Sequence, residues 1–431
     1  MACAHGLGED LVREGCFSID PASVVFGRGA LAELGDHAAG LRRVMLVTDR
    51  ALVRHGHVDV AVRSLRARGI DVVVFDEVSI EPTDASFTAA SEAARGGGFD
   101  GYVSLGGGSA IDTAKAAALY ATYPAPLETY VNAPLGLGRP VPGPLPRHIA
   151  CPSTCGTGSE CTGIAVFDWV SRHAKTGIAS RALRPSLALV DPTLTASLPA
   201  SVVAASGFDV LCHAIESTTA RPFTSRARPS PATARPMSQG RNPWSDLGSQ
   251  EALRIAAAHL VRAVTDASDT EAREALSWAA LLAGIAFGNA GVHLPHAMSY
   301  AVSANARDFK MPGYPDAPLV PHGVAVVVNA PSVFRATAAA CPERHLAAAA
   351  ALGVDVRGAS PGDAGHLLCD ALTALMRATG VPVGLSTLGF TAADLPHLAP
   401  LALAQRRLVD NAPFAVTPDH MREMFQGALD A

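Results

Sequence analysis

Up to Pro199 short β-branched runs alternate with helical ones, and after it helical runs follow one another with no convincing strand among them. That switch limits the fold more than any other feature. "RRVMLVTD" (42–49) and "IDVVVFDEV" (70–78) read as strands, and "VDVAVRSLRARG" between them has helical spacing closed by Gly69, which makes a βαβ unit. "SVVAASGFDVLCHAIESTTA", "SQEALRIAAAHLVRAV", "EAREALSWAALLAGIAFGNA" and "ERHLAAAAALG" are the later helices. The expectation is an α/β domain over 1–199 and an α-helical domain over 200–431. A chain of 431 residues exceeds what one hydrophobic core usually serves, and with 49% hydrophobic against 17% charged residues it can fill two.

A formal net charge of −5 provides no basic field for nucleic acid, and no apolar run approaches the ~20 residues that would span a bilayer. Neither is an expected partner. The eight cysteines are scattered without a CxxC pair, and "MACAHGLGEDLVREGC" has no apolar signal core, so a cytoplasmic chain with reduced thiols is expected. The stretch "RPFTSRARPSPATARPMSQGRNP" (221–243) reads by composition as a solvated loop, of whose Arg221, Arg226, Arg228, Arg235 and Arg241 one or two could instead face an anionic substrate.

A third strand, "GYVSL" (101–105), runs straight into "GGGSAIDTAKAAALYA", a glycine loop opening a helix. Strand, glycine loop and helix N-terminus form an anion cradle, because backbone N–H groups point outward and the helix dipole favours negative charge. Tight turns also use glycine for backbone reasons alone, and Ile at 111 departs from G-x-G-x-x-G, so both readings stand. "CPSTCGTGSECTG" (151–163) packs hydroxyls and glycines in a way that suits the lining of a cofactor. Asp49, after the "VMLVT" strand, can hydrogen-bond an adenosine ribose and repel a 2′-phosphate, or it can cap the helix "RALVRHG".

"GFDVLCHAIE" (207–216) sets Asp209 and His213 four residues apart, on one face of a helix. They either share a metal ion or bond each other in a core. His293 and His296 in "NAGVHLPHAMSY" and His322 in "PLVPHGVAV" could complete an N/O donor set suited to Zn or Fe(II).

Read in order, "SLGGGSAIDTAK", "CPSTCGTGSE", "KTGIASRALRP", "LVDPTLTASLPASVVAASGFD", "GFDVLCHAIES", "QGRNPWSD", "FGNAGVHLPHAMSY" and "PLVPHG" resemble the iron-containing (group III) alcohol dehydrogenases, and within them the subfamily of hydroxyacid-oxoacid transhydrogenases. The resemblance runs from "VVFGRGALAELG" (24–35) to the C-terminus. It implies a Rossmann-like α/β N-terminal domain holding NAD, an all-α C-terminal domain holding a divalent metal (Fe2+ or Zn2+), and an active site between them, the fold also of dehydroquinate synthase. Carried over by position, the metal ligands are Asp209, His213, His296 and His322. Gly106, Gly107, Gly108 and Ser109 would cradle the diphosphate, Thr154 and Thr157 line the cofactor, Lys175 lie near its ribose, and Asp49 read the adenosine side. Many members carry a proton-relaying histidine four residues after the third ligand; here Tyr300 stands there, so that Tyr300 keeps a hydroxyl in the relay, or His293 takes over from the preceding turn, or either side chain only packs.

The activity so implied is hydride transfer through bound NAD from a hydroxy acid such as 4-hydroxybutyrate to an oxo acid such as 2-oxoglutarate. Two alternatives stand beside it: an ordinary NAD-dependent alcohol or hydroxyacid dehydrogenase that releases its coenzyme, and a dehydroquinate synthase-like cyclase. Small-molecule substrates and a homodimer are the expected partners.

Overall fold

The computed structural model describes residues 13–429. The β-branched runs become eight strands: β1 (Ser23–Phe26), β2 (Arg43–Thr48), β3 (Asp71–Phe75), β4 (Gly101–Gly106), β5 (Arg147–Pro152), β6 (Ile164–Trp169), β7 (Ala174–Ala179) and β8 (Leu187–Val190). Six of them form one sheet in the order β1-β8-β5-β4-β2-β3, paired in parallel throughout. A parallel sheet is covered on both faces, and the central β4 is buried at all its positions.

Helices α1 (Leu34–His37), α2 (Arg50–Arg54), α3 (His57–Ala67), α4 (Asp84–Arg95) and α5 (Gly108–Thr122) supply the cover. Along β2 the side chains alternate: Val44 and Leu46 pack with Val58, Ala61 and Leu65 of α3, while Met45 and Val47 pack with Ala90 and Ala94 of α4 and Ala114 and Ala117 of α5. β6 and β7 stand apart as an antiparallel pair, their turn closed by His173 at φ 48. The sequence alone marks no strand there.

From Ala200 onward the chain is helical, with α6 (Ala200–Thr219), α7 (Pro243–Thr265), α8 (Thr270–Ala290), α9 (Leu294–Ala304) and α10 (His322–Val327) followed by further helices to Gly427. α7 starts where Asn242 accepts from the Ser245 N–H and Pro243 takes the first helical position, which needs no donor. Leu211, Ile215, Leu253 and Leu260 are buried between α6 and α7, each contributing about 1.5–3 kcal/mol of transfer free energy. Small residues bring the helices close. A Cβ on Gly323 would collide with the Ala205 carbonyl, so glycine there lets α10 lie directly against α6.

One expectation is corrected and another refined. The stretch His322–Ala340 is long and apolar enough, by length and composition, to cross a membrane, but 72% of its apolar window is buried inside the fold. Its hydropathy is that of a core helix. Residues 221–243 form the expected loop, exposed over most of 224–236, but it is tied down at both ends. The Arg221 and Arg241 amides donate to the Asn411 and Arg221 carbonyls, and those of Gln239 and Gly240 to Asn289 and Ala290 at the end of α8.

Candidate active site

α6 carries acid and imidazole one helical turn apart, and two further elements bring their own imidazoles to the same point. The Nε2 atoms of His213 and His296 each lie 3.5 Å from Asp209 Oδ1, and His322 Nε2 lies 3.7 Å from it. Donor atoms of Asp209, His213 and His296 all fall within 4.8 Å of one another, and His322 closes the group at the N-terminus of α10. Asp209 is 2% exposed. The plain reading of a hydrogen-bonded pair fails here, because Asp209 Oδ1 and His296 Nε2 have no hydrogen-bond partner. Buried lone pairs facing one another are unfavourable unless a cation stands between them, so the donor set fits a divalent metal.

The charges say the same. Desolvation works against the Asp209 anion, yet His213, His322 and His296 hold its carboxyl well below the usual range. Burial pushes His213 down to about 4 despite Asp209. Burial would lower His296 too, but Glu216 and Asp209 outweigh it and lift it to about 9. A metal ion would take the place of that proton.

Glu216 was not singled out by sequence reading, although it lies on the α6 face of Asp209 and His213, seven residues beyond the first. Its Oε1 accepts from His296 Nδ1 at 2.6 Å and its Oε2 from the His293 backbone N–H at 2.6 Å. With Nδ1 donating, His296 must turn an Nε2 lone pair toward Asp209. The spacing 209, 213, 216 was the available signal. His293 is placed behind this layer: its Nε2 meets Thr219 Oγ1 at 2.9 Å and its ring sits edge-on to Phe334. It does not line the cleft, so as a proton-relay candidate it is set aside in favour of Tyr300.

Tyr300 lines a cavity of about 110 Å³ together with His213, His296, His322, Phe287 and Arg407. Burial raises its phenol, partly offset by Arg407 and Lys175. Glu81, also missed by sequence reading, enters from the β3–α4 connection at φ 53. Its Oε1 accepts the first N–H of α10, that of His322, at 3.1 Å, and its Oε2 accepts from Lys175 Nζ at 2.7 Å. Lys175 Nζ also donates to Asp168 Oδ1 at 3.0 Å. The two carboxylates outweigh desolvation and raise Lys175, so it stays charged. Lys175 thus lines the metal-side cavity as part of an ion network.

A second cavity, about 300 Å³, shares Glu81, Gly108, Ser109, Thr157 and His322 with the first. It extends past Gly107 and Thr154 to Asp49. The close approach of the two glycine-rich segments depends on missing side chains: a Cβ on Gly107 would meet Thr154 Cγ2 at 3.0 Å, and one on Gly108 would meet Thr157 Cγ2 at 2.8 Å. Gly106 ends β4 and Gly108 begins α5, so the N-terminus of α5 opens on this space. Asp49 serves as the helix cap and also faces the cavity. Its Oδ1 caps α2, accepting from the Ala51 and Leu52 amides at 2.8 and 3.1 Å, while the residue lines the cavity.

Of the five arginines of the insert, Arg221, Arg226 and Arg235 border a third cavity, whereas Arg228 and Arg241 do not line it. Arg407, from the short helix Arg406–Val409, joins them.

Residues 21–192 match the family model described as iron-containing alcohol dehydrogenase, and residues 236–429 match that of the Fe-containing alcohol dehydrogenase family, C-terminal. The mitochondrial hydroxyacid-oxoacid transhydrogenase of Rattus norvegicus is 46% identical over 418 residues, covering 96% of this chain and 90% of the rat protein. That of Homo sapiens is 45% identical with the same coverage. Among solved structures, a 1,3-propanediol oxidoreductase is 30% identical with a TM-score of 0.84, covering 96% of this chain and 100% of its own. The sulfoacetaldehyde reductase of Bifidobacterium kashiwanohense, in complex with NAD+, is 27% identical with a TM-score of 0.76, covering 96% and 98%.

Proposed function

The chain belongs to the iron-containing alcohol dehydrogenase family, an NAD- and metal-dependent oxidoreductase by that membership, and on this premise we propose that it carries hydride from a hydroxy acid such as 4-hydroxybutyrate to an oxo acid such as 2-oxoglutarate. The observation that carries the chemistry is the convergence of one carboxylate and three imidazoles on a cavity continuous with the glycine cradle. The choice of acids follows the names of the relatives at 45–46% identity. Both halves match models of this family, which leaves the cyclase alternative without support.

Asp209, His213, His296 and His322 would hold the metal; Gly106, Gly107, Gly108, Ser109, Thr154 and Thr157 would hold the coenzyme, with Asp49 toward its adenosine end. A metal bound there would supply Lewis-acid polarisation of the substrate oxygen, and a bound nicotinamide would supply the reversible hydride acceptor. The remaining work is done by side chains. Glu216 fixes the His296 tautomer, and Glu81 seats the first turn of α10 and with it His322. Tyr300 holds a protonated hydroxyl beside the reacting oxygen, to which it can donate and from which it can recover a proton. Phe287, Val292 and Val166 wall the cavity against water. Lys175 acts through Glu81 and Asp168, by holding their charges beside the coenzyme.

Iron is the assigned ion, after the family; zinc suits the same donors, and elemental analysis of the purified protein decides. A dimer is the expected assembly, to be checked by sedimentation. The relatives' names carry a mitochondrial location, and the free cysteines among the described residues suit either that compartment or the cytoplasm expected from the sequence.

The test mixes purified protein with 4-hydroxybutyrate and 2-oxoglutarate and no added coenzyme, and follows semialdehyde and 2-hydroxyglutarate. Turnover with ping-pong kinetics is expected. Turnover that appears only with excess NAD would replace this reading by the second one, a dehydrogenase that releases its coenzyme.

A further inference from the structure

Arg407 lines two cavities at once: the one that holds Tyr300, His296 and His322, and the neighbouring one of about 630 Å³ bordered by Arg139, Arg181, Arg221, Arg226 and Arg235. The positive charge of the larger cavity is only partly neutralised. Arg181 pairs with Asp20 and Arg235 with Glu14, each at 2.7 Å. Asp410, the acid on the lining, pairs with Arg406. Among the described residues no carboxylate lies within ion-pair distance of Arg221, Arg226 or Arg407.

The strain of this arrangement is visible at single atoms. Arg221 Nε is buried without a hydrogen-bond partner. Arg226 donates to neutral acceptors, the Gln239 carbonyl at 2.7 Å and Asn411 Oδ1 at 2.9 Å. Burial and the adjacent Arg221 push Arg226 down to about 10 against the opposing pull of Asp410. Unpaired cations gathered at a cavity are offset when an anion enters, and guanidinium groups take carboxylates through two parallel hydrogen bonds. Arg407 also acts on the reactive side, where its charge is felt at the Tyr300 phenol.

Resting on the hydroxy-acid reading above, we propose that Arg407 is the specificity-determining residue: it binds the remote carboxylate of a short hydroxy or oxo acid whose other end reacts beside Tyr300, and Arg221 and Arg226 line the path by which the anion arrives. Arg407 separates acids from plain alcohols. Nothing in its own stretch, "LALAQRRLVDNAP", announces this.

The experiment uses the purified protein with its own metal and NAD in excess, so that it reads substrate choice whether or not coenzyme is retained. It compares 4-hydroxybutyrate with 1,4-butanediol, which replaces the carboxylate by a hydroxymethyl group. Arg407→Ala is expected to raise KM for 4-hydroxybutyrate about 10- to 100-fold, with an effect on the diol at least tenfold smaller, and Arg407→Lys to recover part of the loss. Calorimetric binding of succinate, an unreactive dicarboxylate, should weaken by a similar factor. An equal loss on both substrates, or an unchanged KM for the acid, overturns the assignment of Arg407 while leaving the hydroxy-acid reading in place. A wild-type protein that oxidises the diol but neither binds nor oxidises 4-hydroxybutyrate overturns that reading, and this proposal with it.

Discussion

Replacing Glu216 by Gln removes one charge and changes no heavy-atom outline, yet the geometry makes it a severe test of how the metal site is held. The wild-type carboxylate accepts two hydrogen bonds, one on each oxygen, from His296 Nδ1 and from the His293 amide. An amide has one accepting end. If the oxygen of the introduced amide takes the His293 N–H, its NH2 faces His296 Nδ1 and selects the tautomer with the proton on Nε2, where the metal should sit. If it turns over, NH2 meets N–H across a buried contact. The first arrangement blocks a ligand, and the second leaves a backbone donor unsatisfied at about 1–3 kcal/mol. Loss of an orienting partner of this kind lowers metal affinity about 10- to 100-fold, or about 1.4–2.8 kcal/mol. The assay is competition for the metal by a chelator of known affinity at fixed pH, with circular dichroism to establish that the variant is folded. A folded Glu216→Gln protein that holds metal within twofold of the wild type would refute the argument, and with it the assignment of Nε2 as the ligating atom of His296.

His322→Ala should lose metal and activity together, whereas His293→Ala, outside the ligand set, should keep its ion; elemental analysis of both variants reads the difference. NAD should bind more tightly than NADP by about 1–3 kcal/mol, from repulsion between Asp49 and the 2′-phosphate. Asp49→Asn should narrow that gap while still capping α2, since Asn caps as well as Asp; dissociation constants for both coenzymes test it. His148 is buried against Ser104 and pushed down to about 3 by burial, with Lys115 adding to it. The unfolded chain, at about 6.5, therefore binds one proton more between those values, so stability falls as the pH drops through that window by up to about 1.4 kcal/mol per unit. His148→Asn should flatten the urea-denaturation profile between pH 6.5 and 5 by that slope.

What could be read without coordinates was local and periodic. The strands beginning near Arg43, Asp71 and Gly101 and the helices around Asp209 and Leu276 follow from repeats of two and 3.6 residues, and each is where it was expected. The β6–β7 hairpin escaped because "KTGIAS" is short and half polar, and its pairing is seen only once Ile164–Trp169 lies alongside. The insert 221–243 is the loop its composition suggests, but the anchoring of its ends by backbone donors to Asn289, Ala290 and Asn411 is something composition cannot reveal. Glu216 was within reach of helical counting. Glu81 and Arg407 were not, since the one is 241 residues from the amide it accepts and the other meets Tyr300 only through the packing of the last helices.

The hydrogen bond from His322 to Glu81 bears on any attempt to take the molecule apart. A fragment beginning at Ala200 contains all four donor residues and Glu216, and by composition it looks like a self-sufficient metalloprotein. It would nevertheless lack Glu81, the acceptor for the first N–H of α10, together with the Lys175 that holds that acceptor in place. Such a fragment would present His322 on a frayed helical turn and bind metal with three firm donors instead of four. Restored in trans, the piece ending at Pro199 would bring Glu81 back, so metal affinity itself would report whether two separately made halves had found each other.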